Sequence, residues 1–396
     1  MATTEYDAPP MADHSSDMNR LLGPDRRFQP RRIRLLEWMV IGVVVLVGAG
    51  LVWLWPGELP ELETAELGLA DDAYRARVLE STELPCEFAP DLNCVDHVFE
   101  LEEGPDEGST VVLSWDVETA PALTLDDVVL LYRIDTDDGS LNYQFADRVR
   151  GGVLLVAALL FAAAVVALGR MRGLAALTGL VISVGLLLGF IIPAIVTGRD
   201  PVLVAAVGGA AIALVAIYLA HGVNDKSHVA VLGAFAALAL TAALSAIGFG
   251  LAQFTGLVSD ETFFILAIPG LDPTGLLLAG AVLGAIGALD DVTVSQASTV
   301  WEVARANPRL DPRALYAAGI RVGRDHIAST VNTLLLAYAG AALPLLLLFT
   351  LSQQSLGLVA NSEVVAVEIM RTLVGSVGLV AAVPITTLMA SRLAPR

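Results

Sequence analysis

Apolar runs long enough to cross a bilayer recur along this chain, and no water-soluble core can use that many. A helix needs about 20 largely apolar residues to traverse roughly 30 Å of hydrocarbon. Because lipid offers the backbone no partners, each such run is expected to be helical. Eight spans are read: from about Leu36 to Trp55, Gly151 to Leu168, Gly173 to Val196, Pro201 to His221, Val229 to Gly250, Pro273 to Asp291, His326 to Phe349 and Thr372 to Ser391. The composition agrees, with 55% hydrophobic and only 16% charged residues in 396. The expected fold class is an all-α polytopic membrane bundle of about eight transmembrane helices, with a small all-β domain inserted between the first two.

Basic residues set the expected orientation. Arg26, Arg27, Arg31, Arg32 and Arg34 precede the first span, and Arg170, Arg172, Lys226, Arg305, Arg309, Arg313, Arg321 and Arg324 follow at alternate loops, with Arg392 and Arg396 at the end. An even number of spans places all of these on one side, which the positive-inside rule makes cytoplasmic. The segments are then 1–35, a disordered cytoplasmic tail with its basic cluster; 36–55, an anchor helix; 56–147, extracytoplasmic; 148–391, seven membrane helices; and 392–396, a cytoplasmic end. Trp53 and Trp55 suit a membrane interface better than a cleavage site, so the first span is read as a retained anchor. The expected location is a bacterial cytoplasmic membrane.

Residues 56–147 differ from the rest. They hold 24 Asp and Glu against three Arg, a local net of −21, while the remainder has 18 acids and 20 bases. Such charge either keeps a surface solvated or gathers cations, and the first reading is the plainer. AYRARVLE, DHVFELE, STVVLSW and DDVVLLYRI alternate with turn clusters, the spacing of a small antiparallel sheet or OB-like barrel. The only cysteines, Cys86 and Cys94, fall here and are expected to form a disulfide. His97 could join them as a third metal ligand, but three ligands without a fourth are a poor zinc site, so no metal is expected.

The sequence contains no Walker loop, no H-E-x-x-H and no G-x-S-x-G. The chain is therefore expected not to be an enzyme and to need no cofactor, and nothing in it points to nucleic acid. Polar residues instead gather beside the membrane. In GALDDVTVSQASTVWEV, Asp291, Ser295, Ser298 and Glu302 recur at offsets of four, seven and eleven, one stripe of a helix. Gly280 and Gly284 upstream allow close packing. Asp311-Pro312 should cap the following helix, which carries Arg324 and Asp325 at its mouth, then Thr330, Asn332, Thr333 and Tyr338, and a kink at Pro344. The expectation is that Asp290 or Asp291 faces Arg324 across these two helices. Asp290, Asp291, Ser295, Gln296, Arg324, Asp325, Asn332, Thr333 and Tyr338 would then line a seam that binds an ion or small solute. ETFFILAIPGLDPTG is too short to cross and is expected to lie on the outer surface.

DRVRGGVLLVAALLF with GRMRGL, FIIPAIVTGRDP, HGVNDKSHVAVLGAF, GALDDVTVSQASTVWEV and GRDHIASTVNTLLLAYAGAALPLLLLF, in this order, resemble the YibE/F family of bacterial multi-pass membrane proteins over about Tyr74 to Ser391. The family's single acid is doubled here as Asp290 and Asp291, and Asp291, before Val292, is the better match. The resemblance implies an integral membrane protein with an external β domain, for which permease-like roles are suggested. A secondary transporter or permease for an ion or small solute is the expected function. The alternatives are a membrane scaffold or envelope-assembly protein and the permease subunit of an ATP-driven complex, since ALYAAGIRVGRDH faintly resembles a coupling loop. The partners expected are the lipid bilayer and the solute, with a second copy or an accessory protein open.

Overall fold

The computed structural model describes residues 30–59, 73–86, 89–135, 141–257, 268 and 270–395. The chain divides into two compact units, one of residues 56–200 and 255–273, the other of 1–55, 201–254 and 274–396. The expected surface-lying segment around residues 261–267 and the tail before residue 30 lie outside the described residues.

In the first unit, five strands form one antiparallel sheet: β1 (Ala73–Cys86), β2 (Ala89–Leu101), β3 (Thr110–Asp116), β4 (Val128–Asp135) and β5 (Leu141–Arg148), in the order β3-β2-β1-β4-β5. Residues at alternate positions, Ala76 and Val78, Phe99 and Leu101, Val129 and Leu131, are buried to 1% exposure or less and form one core. The sheet curls until Trp115 of β3 and Phe145 of β5 meet edge to face at 6.0 Å, although these edge strands are not paired. Cys86 and Cys94 are joined as a disulfide where β1 pairs with β2. The fifth strand was not among the expected ones, yet Leu141, Tyr143 and Phe145 carry the two-residue period that marks it.

The same unit continues into α2 (Gly151–Leu186), a π-helical turn (Leu187–Ile191) and α3 (Ile192–Val196). α2 breaks at Arg170, whose φ of 51° and ψ of −130° are not helical. A Cβ on Gly173 would run into the carbonyl of Val165. Eight residues of unbroken helix separate such atoms by about 12 Å, so the chain turns back on itself at Arg170.

The second unit holds α1 (Pro30–Trp53), α4 (Pro201–His221), α5 (Asp225–Ala252), α6 (Pro273–Ala306), α7 (Pro312–Ala341), α8 (Leu343–Leu351), α9 (Leu356–Asn361) and α10 (Glu363–Leu393). α1 packs through one stripe, Leu36, Val40 and Val47, each at most 5% exposed, while Leu35, Trp38 and Trp53 stay more than 60% exposed. Asn224 caps α5 by accepting from the amides of Lys226 and Ser227, and Asp311, ahead of Pro312, caps α7 through the amide of Ala314. α7 and α8 meet at 63°, with Pro344 one residue into α8, where the kink was expected.

α5 and α10 pack antiparallel through matching notches. A Cβ on Gly233 would strike Thr386 Oγ1, and one on Gly378 would strike Thr241 Oγ1. Glycine at both places lets the backbones close to the distance that a threonine hydroxyl fills.

Among the described residues, six helices are long and apolar enough to cross a membrane, seven if α7 and α8 count as one span. In that count Gly151–Val196 is one helix of 46 residues. Several long apolar helices with a small antiparallel sheet are the fold class expected, at this coarser level.

Candidate functional site

Asp290 and Asp291 are neighbours on α6, and successive helical residues point about 100° apart. One carboxylate therefore turns inward. Asp290 is half-buried, and its Oδ1 is closed off from solvent without a hydrogen-bond partner. Asp291 faces out, its side chain 74% exposed. The sequence favoured Asp291; the interior carboxylate is Asp290. Around it α6 buries Leu289, Val292 and Thr293, whose hydroxyl donates to the Asp290 carbonyl at 3.2 Å.

His326, on α7, reaches the outer side of this stripe. Its Nε2 lies 3.5 Å from Ser295 Oγ and 3.9 Å from Asp291 Oδ2. His326 is not among the expected site residues, although a histidine opposite an acid and a serine on the next helix is a recognisable polar set.

Gln296 is 2% exposed. Its Nε2 donates to the Gly319 carbonyl of α7 at 2.8 Å and to Thr387 Oγ1 of α10 at 2.7 Å. A Cβ on Gly323 would come within 3.0 Å of its Oε1. This amide ties three helices together, so its role is structural.

The expected pairing of Asp290 or Asp291 with Arg324 is corrected. Arg324 and Asp325 are exposed, and among the described residues Arg324 forms no ion pair with either acid. The physical reason is helical phase: α7 turns Gly319, Ile320, Gly323, Ile327 and Val331 inward, three and four residues apart, and Arg324 and Asp325 fall off that face. Asn332 and Thr333 are likewise exposed, and the Thr333 hydroxyl donates to its own helix at the Ser329 carbonyl. The stripe of Asp291, Ser295, Ser298 and Glu302 is half-buried to exposed, flanking the packed face instead of filling it.

Tyr338 does enter the bundle. Its hydroxyl sits over Gly284 of α6, 2.7 Å from where a Cβ would stand, and one turn away Arg371 Nη2 of α10 lies over Gly280 at 3.2 Å. Arg371 Nη1 donates to Glu368 Oε1 at 2.7 Å, while its Nε is buried with no partner. Neither Arg371 nor Glu368 is among the expected site residues. The signal was available, since an acid and a base three apart inside an apolar run are rarely idle. A cavity of about 190 Å³ opens beside them between α7, α8 and α10.

In the sheet, His97 is 3% exposed, under Trp115 and Phe99, with Ser81 Oγ 2.7 Å from its Nδ1. Burial holds its pKa below the ordinary value, against the smaller opposing pull of the Pro121 carbonyl and Asp96. Burial and the hydrogen bond to Asp106 push the Tyr143 hydroxyl up to about 12. Among the described residues, no three His, Cys, Asp or Glu are placed to hold a metal.

The family model described as YibE/F-like protein matches residues 157–396. That range begins inside α2, after the sheet, and takes in every later helix, whereas the resemblance read from motifs reached back to Tyr74. No curated protein and no solved structure matches the chain.

Proposed function

The chain belongs to the YibE/F-like protein family, and we propose that it is a secondary carrier for an ion or small solute, loaded at Asp290. The observation that carries this reading is the Asp290 carboxylate oxygen, enclosed within a membrane-spanning helix and left without a partner. An ionisable oxygen closed off from water is costly unless it has work to do, and reversible capture of a proton or cation is such work. Asp291, His326 and Ser295 form the polar approach to it from one end of α6 and α7.

The pairing of α5 and α10 supports the same reading. Gly233 and Thr241 stand eight residues apart, as do Gly378 and Thr386, and the antiparallel crossing is centred on Ala237 and Ala382, both fully buried. Seven residues before each glycine comes a basic residue followed by a hydroxyl: Lys226-Ser227 and Arg371-Thr372. Helices so matched and opposed are the mark of an inverted repeat, the frame in which one half rocks against the other to open a central site to each side in turn.

In this reading the break at Arg170 makes two crossings of α2 and α3 and the total is eight. Both termini are then cytoplasmic, the sheet of residues 56–147 is extracytoplasmic and closes as an OB-like barrel, and the protein sits in a bacterial cytoplasmic membrane as a carrier, not an enzyme.

The test is current from purified protein in liposomes on a solid support, stepped through pH and a panel of small cations and organic solutes. Wild type and Asp291→Asn should carry charge, and Asp290→Asn should not. Equal currents from Asp290→Asn and wild type would remove the proposal.

A further inference from the structure

A cavity of about 980 Å³ lies between the second and third turns of α1, the start of α7 and the end of α10. Leu35, Met39, Leu388 and Leu393 give it an apolar wall, and the exposed Arg313 and Arg392 also line it. Leu35, Met39 and Leu388 are 62%, 43% and 42% exposed, so the apolar side of the trough is open at the start of the first apolar span. Neither arginine has an ion-pair partner among the described residues. The one carboxylate in the lining, Asp311, accepts from the Ala314 amide at 2.7 Å as a helix cap.

Each part of this crevice excludes some occupants. Water alone would not cover four large apolar side chains, and a plain hydrocarbon chain would make no use of the two exposed guanidinium groups. A soluble anion would use the arginines and ignore the trough. We propose that the crevice is a binding site for one anionic phospholipid, with its phosphate between Arg313 and Arg392 and an acyl chain along Leu35, Met39, Leu388 and Leu393. Guanidinium forks suit phosphate oxygens, and basic pockets between membrane helices at the arginine-rich end recognise such headgroups. A zwitterionic lipid offers the same phosphate but brings its own cation, so the site discriminates by net charge. Because α1 supplies one wall, the bound lipid would fasten the first helix to the ends of α7 and α10. The carrier reading is not needed for this proposal.

Native mass spectrometry of the full chain, released from micelles holding equal phosphatidylglycerol and phosphatidylcholine, tests it. One phosphatidylglycerol should be retained in preference, and the preference should shrink as salt rises. Arg313→Gln with Arg392→Gln should weaken that retention roughly 25-fold, about fivefold per arginine. Arg305→Gln with Arg309→Gln, which alters arginines outside the crevice, should leave it unchanged. Met39→Trp should displace the lipid by filling the trough. Equal retention of both lipids, a salt-independent preference in wild type, or full displacement by millimolar inorganic phosphate would each overturn the proposal, the last by showing a free-phosphate site.

Discussion

One amide shows how little a polar residue's identity says until its partners are known. Gln296 lies in DDVTVSQASTV, where the residue types fit a substrate seam and a packing cross-link equally well. The partners decide: Gly319 and Thr387 lie on two other helices, and no solvent reaches the side chain. Replacing Gln296 by Leu takes one hydrogen bond each from the Gly319 carbonyl and from the Thr387 hydroxyl, which still donates to the Val383 carbonyl. Hydrogen bonds between membrane helices average about 0.6 kcal/mol each, so Gln296→Leu should lower stability by about 1–2 kcal/mol, seen as a lower midpoint of thermal unfolding in detergent, without abolishing current. Asp290 and Asp291 were legible as a pair, but not which one turns inward, because a one-residue error in helical phase exchanges them. His97 gives a pH prediction at the same scale. Its native pKa is lowered from 6.5 by burial, so as pH falls through about 6.5 the unfolded chain binds the proton first and the sheet loses stability. That loss continues downward until the native ring is protonated as well, and above the range there is none. Protection factors of β2 amides in the full chain, taken against the intrinsic exchange rate at each pH, should therefore fall from pH 7 to pH 5, and His97→Gln, which keeps a partner for Ser81, should flatten that fall.

Helices and strands were easier to read than their joints. Asp311-Pro312 announced the start of α7, and Pro344 the bend into α8, because caps and prolines act through the backbone of their own neighbourhood. The fit of α5 against α10 was not legible, since Gly233 and Gly378 are two of 35 glycines and nothing local says which face a neighbour. The contact makes a sharp prediction. Gly378→Ala places a methyl against Thr241 Oγ1 and forces the helices apart, an overpacking cost of about 1–3 kcal/mol that outweighs the helix propensity gained. Thr241→Ala removes the obstacle, so Gly378→Ala with Thr241→Ala should recover most of the lost thermal stability. Additive losses in the double variant would show that the two residues do not meet. Gly250→Ala, where nothing lies within 4 Å, should be tolerated.

At the scale of the molecule, charge and count must agree. The 21 net negative charges of residues 56–147 need water, and the basic residues near the other helix ends favour the opposite side. Both conditions hold along the chain only if α2 returns at Arg170. A single passage through Gly151–Val196 would invert every later loop and carry Asn307 and its neighbouring Arg305 and Arg309 out beside the acidic sheet. Single-cysteine variants decide between the two, because Cys86 and Cys94 are bonded to each other and silent toward maleimide without reductant. With two crossings, Glu107→Cys, Arg199→Cys and Ser355→Cys should react with an impermeant maleimide on intact cells, while Arg172→Cys, Val223→Cys and Asn307→Cys should react only once the membrane is opened. With one crossing, Glu107→Cys alone keeps its side, and Arg199→Cys exchanges places with Val223→Cys and Asn307→Cys. The two outcomes share no pattern, and the second would also separate the matched starts of α5 and α10 from the faces on which an inverted carrier requires them.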